Sequence, residues 1–356
     1  MPDAFWIDRD EELAALAHAL ESQAWIGVDT EFLRERTFFP KLCLLQLAAG
    51  GRIWCVDTLR ISSLDPLMNA LTAAAARKII HAARQDLEAV YLSAKRVISP
   101  VFDTQIAAGC IGLKPQIGYA ELVKTLLDAT VPKGQTRTDW SKRPLTQAQL
   151  QYAAEDVLYL DDVAATLSQR LSALGRDHWV LEDCLALEDK QLYEPDPAFA
   201  WGRLRGLAQL GPAQRARAKS IAIWRESEAR ARDLPRAWLL SDAAIFAIAE
   251  GAMPPLNDAL AASLQEVLKD VVDDVADQQP SQDARPTPEQ KAVIERLGKI
   301  VDARAAELNV SPEILAPRGE LKALGMAPRT GSLRETNALK GWRRQEIGTR
   351  LLEALG

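Results

Sequence analysis

The chain has 356 residues, 48% of them hydrophobic and 26% charged, which is enough apolar material for two or three conventionally packed domains. Its formal charge of −6 argues against a protein that coats nucleic acid indiscriminately, because unspecific phosphate binding is driven by clustered Lys and Arg. No signal-peptide pattern opens the chain, no apolar run reaches the length of a bilayer crossing, and Cys43, Cys55, Cys110 and Cys184 form no C-x-x-C pair, so a cytoplasmic protein without a membrane partner is expected.

Taken in chain order, apolar residues at helical spacing predict a helix over 10–20. Segments 25–29, 42–48 and 53–57 read as strands, with Gly50-Gly51 as a hairpin turn between the last two. A helix over 64–76, a short strand over 78–81, a helix over 85–94 and a fifth strand over 97–102 follow. Asp103 reads as the N-cap of a helix from Gln105 to Gly112. This alternation predicts a mixed α/β sheet flanked by helices. Beyond about residue 189 strand signals vanish, and the prolines of Tyr193-Glu194-Pro195-Asp196-Pro197 mark a linker. A second boundary falls over 277–288, so the expected domains are 1–190, 198–280 and 286–356, the last two all-helical. Between Arg203 and Arg236 nine Lys or Arg stand against three acids, which is either a phosphate-contacting face or a solvated helix surface.

Three pieces carry chemistry. Asp29 and Glu31 follow an apolar strand run and, two apart, project from the same face. Asp86 opens a predicted helix after His81-Ala82-Ala83-Arg84-Gln85. Tyr152 and Asp156, four apart, share one helical face. Four carboxylates without histidine or cysteine partners suit hard cations such as Mg²⁺ or Mn²⁺. Glu88, Glu155, Asp161 and Asp162 read as solvated helix charges, and Trp224 and Trp342 as core.

These pieces, with Arg36-Thr37-Phe38-Phe39-Pro40, Leu44-Leu45-Gln46-Leu47 and Asp139-Trp140-Ser141-Lys142-Arg143-Pro144-Leu145 between them, resemble the motifs of the DEDDy 3′-to-5′ exonucleases. The chain as a whole resembles the ribonuclease D family. That resemblance implies a ribonuclease H-like exonuclease domain followed by two HRDC-like helical domains, the first with Ala222-Ile223-Trp224-Arg225-Glu226 and the second ending in Gly341-Trp342-Arg343-Arg344. It implies two divalent ions held by Asp29, Glu31, Asp86 and Asp156, Asp29 bridging both, with Tyr152 beside the attacking water. Thr30, Phe32, His81, Gln85 and Arg143 are the candidate substrate contacts: Phe32 as a wedge against the terminal base, His81 and Gln85 as substrate contacts or a polar strand end, Arg143 as a phosphate contact or part of a turn. The implied activity is 3′-end trimming of tRNA precursors and other small structured RNAs with unpaired tails, releasing 5′-monophosphates, by a monomer. The alternatives are a DNA exonuclease of the same chemistry and a non-catalytic RNA-binding adaptor. Tandem helical domains and the lack of a G-x-x-x-x-G-K-[ST] loop favour RNA, and retention of all five motif residues favours catalysis.

Overall fold

A computed structural model describes residues 4–132, 134, 138–253, 256–269, 271, 286–327 and 336–355. They fall into two compact units, one of residues 1–32, 42–190 and 286–356, the other of 33–41 and 191–285.

The first unit holds a six-stranded sheet in the order β1-β4-β3-β2-β5-β6, where β1 is Ala4–Ile7, β2 Trp25–Leu33, β3 Lys41–Ala49, β4 Arg52–Val56, β5 Arg77–Ile80 and β6 Val101–Asp103. β1 runs parallel to β4, and β5 parallel to both β2 and β6. β3 returns antiparallel to β4 through Gly50 and Gly51, whose φ values of +57° and +75° are the left-handed pair that a tight hairpin demands. β2 and β3 are neighbours joined only by residues 34–40, too short a connection for parallel strands, so they too are antiparallel. Five strands therefore point one way and share a carboxyl edge. β3 is buried from Leu42 through Ala49, which is why it reads as a continuous apolar run rather than an alternation.

The accompanying helices are α1 Asp10–Leu20, α2 Asp65–Leu71, α3 Arg84–Ala94, α4 Thr104–Cys110, α5 Tyr119–Leu127, α6 Gln147–Leu158, α7 Leu160–Leu174 and α8 Asp177–Leu187. Ile79 and Phe102 of the sheet share one buried cluster with Val157, Leu160, Leu167 and Leu171 of α6 and α7. The sequence reading missed β1, whose four residues are too few for a periodicity, and it carried α2 too far. The helix stops because the buried Lys78 ammonium draws in the carbonyls of Ala73 (2.8 Å) and Ala76 (2.5 Å), a tertiary demand that overrides the helix propensity of an alanine run. β6 is shorter than expected, beginning only at Val101.

The second unit is helical: α9 Pro212–Ala231, α10 Arg236–Leu239, α11 Asp242–Ala249 and α12 Asp258–Lys269. Ile221, Ala222 and Trp224 of α9 pack with Ile245, Ile248, Leu260 and Leu264. Buried Glu226 is paired with Arg203, Arg230 and Arg236. Most of the cations counted as a basic face are in fact spoken for: Arg225 binds Asp242, Arg232 binds Glu228, Arg215 donates to the carbonyls of Leu207 and Leu210, and Lys219 lies over Trp201. That face is largely internal wiring. Within the same unit, Asp233 accepts the backbone N–H groups of Phe38 and Phe39, each at 3.0 Å.

The C-terminal helices are α13 Pro288–Leu308, α14 Pro312–Leu315, α15 Arg318–Gly325, α16 Gly341–Arg343 and α17 Thr349–Leu355, and they belong to the first unit. Trp342 stacks on Trp179 of α8 with ring centroids 4.0 Å apart, its backbone N–H donates to Glu182, and Arg343 binds Asp183 through two nitrogens. The expected boundary over 277–288 lies, as far as residue 285, outside the described residues. Among them no helix is long and apolar enough to cross a membrane.

Candidate metal centre at the carboxyl edge of the sheet

β2 extends to Leu33, so Asp29 and Glu31 both lie in its carboxyl half, on one face of the pleat. The helix opposite is brought close by an absent side chain. A Cβ on Gly27 would stand 3.2 Å from Leu160, the first residue of α7, and that narrow gap seats the α6–α7 junction on β2. Asp156, one turn before Leu160, thereby reaches the strand. One carboxylate oxygen each from Asp29, Glu31 and Asp156 lie within 4.8 Å of one another.

Asp86 is buried beside this trio, and its Oδ1 accepts from the Thr30 hydroxyl at 2.5 Å. Its helix is aimed by Asp103, which caps α4 by accepting from Gln105 and Ile106 and also takes the N–H groups of Ala82 and Ala83 just before α3. The Tyr152 hydroxyl bonds Asp156, and its ring lies 6.1 Å from that of buried Trp140.

Crowding leaves an electrostatic signature. Burial, then the charges of Asp86, Asp156 and Glu31, holds Asp29 well above the usual carboxylate range. Burial and the charges of Asp156 and Asp86 push Glu31 up to about 8. Burial lifts Asp86 and Asp156 to about 7, even though hydrogen bonds from Thr30 and Tyr152 oppose the rise. Burial and the neighbouring Asp156 and Glu31 also raise the Tyr152 phenol, so it is a protonated donor at neutral pH. A set of hard oxygen donors, each destabilised as an anion until a cation arrives, fits a metal cation.

Residues 4–172 match the 3′-5′ exonuclease family model, and residues 214–277 match the HRDC domain. A crystal structure of Escherichia coli RNase D, described as an exoribonuclease involved in structured RNA processing, superposes with a TM-score of 0.85 at 27% identity, covering 99% of this chain and 98% of that one. Ribonuclease D of Pseudomonas paraeruginosa is 33% identical over 99% of this chain and 98% of its own, and that of Granulibacter bethesdensis is 34% identical over 98% and 91%. The chain belongs to the ribonuclease D family. It is accordingly a 3′-to-5′ exoribonuclease with a ribonuclease H-like catalytic domain and an HRDC domain, from an exonuclease family that works with metal.

For a ribonuclease D, three of the expected substrate contacts are differently employed. All five N–H donors of Arg143 are used inside the fold: two nitrogens bind Asp57 at 2.6 and 2.7 Å, and the remaining bonds go to the carbonyls of Trp140, Lys142 and Cys43. The structure thus makes Arg143 a clamp between β3, β4 and the approach to α6, not a phosphate contact. His81 is closed off in the same way. Its Nε2 donates to the Ile117 carbonyl at 3.0 Å and its Nδ1 accepts from Thr104 at 2.8 Å, with burial keeping it neutral.

Thr30, expected to touch substrate, is buried and serves Asp86 instead. Phe32 is half-buried at the end of β2 and Gln85 is exposed in the first turn of α3, positions open to a ligand. Glu155 is a further correction: it is buried and held by the Gln151 amide at 2.8 Å, not solvated. Trp140 is core that backs Tyr152, and Asp139 forms a local turn with Ser141. Asp57, Asp103 and Gly27 were not singled out as parts of the site machinery. Their partners lie far off in sequence, and only the helix-capping role of Asp103 left a local signal.

Proposed function

We propose that this ribonuclease D family chain trims the unpaired 3′ tails of tRNA precursors and other small structured RNAs one nucleotide at a time, releasing 5′-monophosphates. The observation that carries the reading is the gathering of Asp29, Glu31 and Asp156 within 4.8 Å, with Asp86 beside them. Asp29, Glu31, Asp86 and Asp156 would hold two divalent ions, Mg²⁺ or Mn²⁺, with Asp29 shared between them. When bound, such ions acidify an attacking water and neutralise charge on the phosphate and the departing 3′ oxygen. Tyr152 orients that water from its hydroxyl and is not the base, because its phenol is held protonated. Trp140 fixes the ring, Thr30 fixes Asp86, and Phe32 meets the terminal base.

The HRDC domain at 214–277 supports a grip on the RNA body, and we read 286–356 as a second helical domain of that type, built onto the catalytic unit. Four buried cysteines, none of them in a disulfide, support a reducing cytoplasm, and we take the working form to be a monomer. Incubating the protein with a 3′-extended tRNA tests the reading. Expected is stepwise shortening from the 3′ end with nucleoside 5′-monophosphate release in Mg²⁺ or Mn²⁺, stopping on chelation and absent on a matched DNA tail. Internal cuts, or equal digestion of DNA, would overturn it.

A further inference from the structure

At the same carboxyl edge as the acidic trio, but outside it, lies a cavity of about 410 Å³. Trp6 and Asp8 enter it from the end of β1, Arg60 from the turn after β4, and Pro144, Leu145 and Leu150 from the approach to α6 and its first turn. The Arg143–Asp57 clamp completes the lining and contributes no net charge. In the sheet order β4 stands two strands and β1 three strands from β2, so the cavity sits about 10–15 Å from Asp29 and Glu31 along the edge.

The lining has the chemistry of a nucleotide site. Its volume is that of a small-molecule pocket. Trp6, whose ring also carries the Arg143 guanidinium 5.8 Å from its centroid, brings an indole to the lining, and the three aliphatic residues add an apolar wall, the combination on which bases stack irrespective of sequence. Arg60 is exposed, and among the described residues its guanidinium has no carboxylate partner, leaving it for phosphate. Asp8 supplies an acceptor for the amine edge of a base. A strand leaving the metal centre along this edge toward β4 and β1 would cross both the cavity and Arg60.

We propose that this cavity is a subsite for an unpaired RNA nucleotide a few positions upstream of the one being removed, its base on Trp6 and its phosphate on Arg60. The proposal rests on the exoribonuclease reading. Occupying the site lengthens the grip on a single-stranded tail, so trimming weakens once the tail becomes too short to reach it.

The test compares kcat and KM for a dinucleotide and for an unpaired RNA several nucleotides long, using wild type, Trp6→Ala, Trp6→Phe and Arg60→Ala. On the longer RNA, Trp6→Ala should raise KM roughly 5- to 150-fold, the range to which base stacking converts, with kcat unchanged and partial recovery in Trp6→Phe. Arg60→Ala should raise KM and flatten its salt dependence. None of the three should alter either constant on the dinucleotide. An unchanged KM on the longer RNA for Arg60→Ala and Trp6→Ala, or an equal loss on the dinucleotide, overturns the subsite while leaving the exonuclease reading intact. Fluorescence anisotropy with the same longer RNA separates the two ideas if wild type makes no shortened product. Binding that still depends on Trp6 then supports the subsite and removes the exonuclease reading, and binding indifferent to Trp6 removes the subsite.

Discussion

Thr30 and Asp86 are separated by 56 positions, yet one hydroxyl proton joins them at the edge of the metal centre. Thr30→Val keeps the shape and deletes the donor, so Asp86 loses the bond that fixes its oxygen. We expect divalent-ion affinity to fall about 10- to 100-fold with little change in melting temperature, read from a Mn²⁺ titration of activity. Unchanged affinity would show that Asp86 is positioned by its helix alone. The raised carboxylates make a second prediction, about pH. Asp29, Glu31, Asp86 and Asp156 bind protons more tightly folded than unfolded, where their values are near 3.8 and 4.5. The unfolded chain therefore holds fewer protons, and without metal the stability must fall as pH rises from about 4 through the folded values of about 7 to 8. Saturating Mg²⁺ or Mn²⁺ should remove most of that fall. Melting curves in chelator and in metal across this range check it, and identical pH profiles would contradict it.

At the level of strands and helices, the site depends on how closely α7 approaches β2. Gly27→Val would drive a branched side chain into Leu160 and lift Asp156 away from Asp29 and Glu31. Expected is a loss of about 1–3 kcal/mol in denaturant unfolding and a disproportionate loss of trimming rate. A variant that keeps full activity would show that the junction has room to relax. The chemistry of this edge was legible in the sequence because it follows local rules. Asp29 and Glu31 share a strand face, Tyr152 and Asp156 a helix face, and Asp103 precedes a helix it can cap. The roles of Arg143, His81 and Thr30 were not legible, since their partners Asp57, Ile117 and Asp86 stand 86, 36 and 56 residues away. No periodicity encodes such pairings, and a polar residue near a motif looks the same whether it faces a ligand or its own fold.

Across the whole molecule, prolines and lost strand signals lead one to expect a boundary between 190 and 198, and one compact unit breaks off at residue 190, but composition does not say which core a later helix joins. Residues 286–356 share the core of the catalytic unit through Trp342 and Trp179. Trp342, 1% exposed, is part of that unit's stability, and Trp342→Ala should cost about 3–5 kcal/mol, seen as a lower denaturation midpoint for the nuclease and not only for its C-terminal helices. A local effect confined to 286–356 would mean the stack is ornamental. Trimming by the molecule as a whole turns on the acidic trio with Asp86 acting as a metal-dependent nuclease centre. The direct measurement is the rate at which Asp29→Asn shortens a 3′-tailed RNA in saturating Mg²⁺, beside its affinity for the same RNA. Loss of roughly 10³-fold in rate with RNA binding retained is the expected result, the scale set by several kcal/mol of metal stabilisation. Trimming at the wild-type rate would contradict the account.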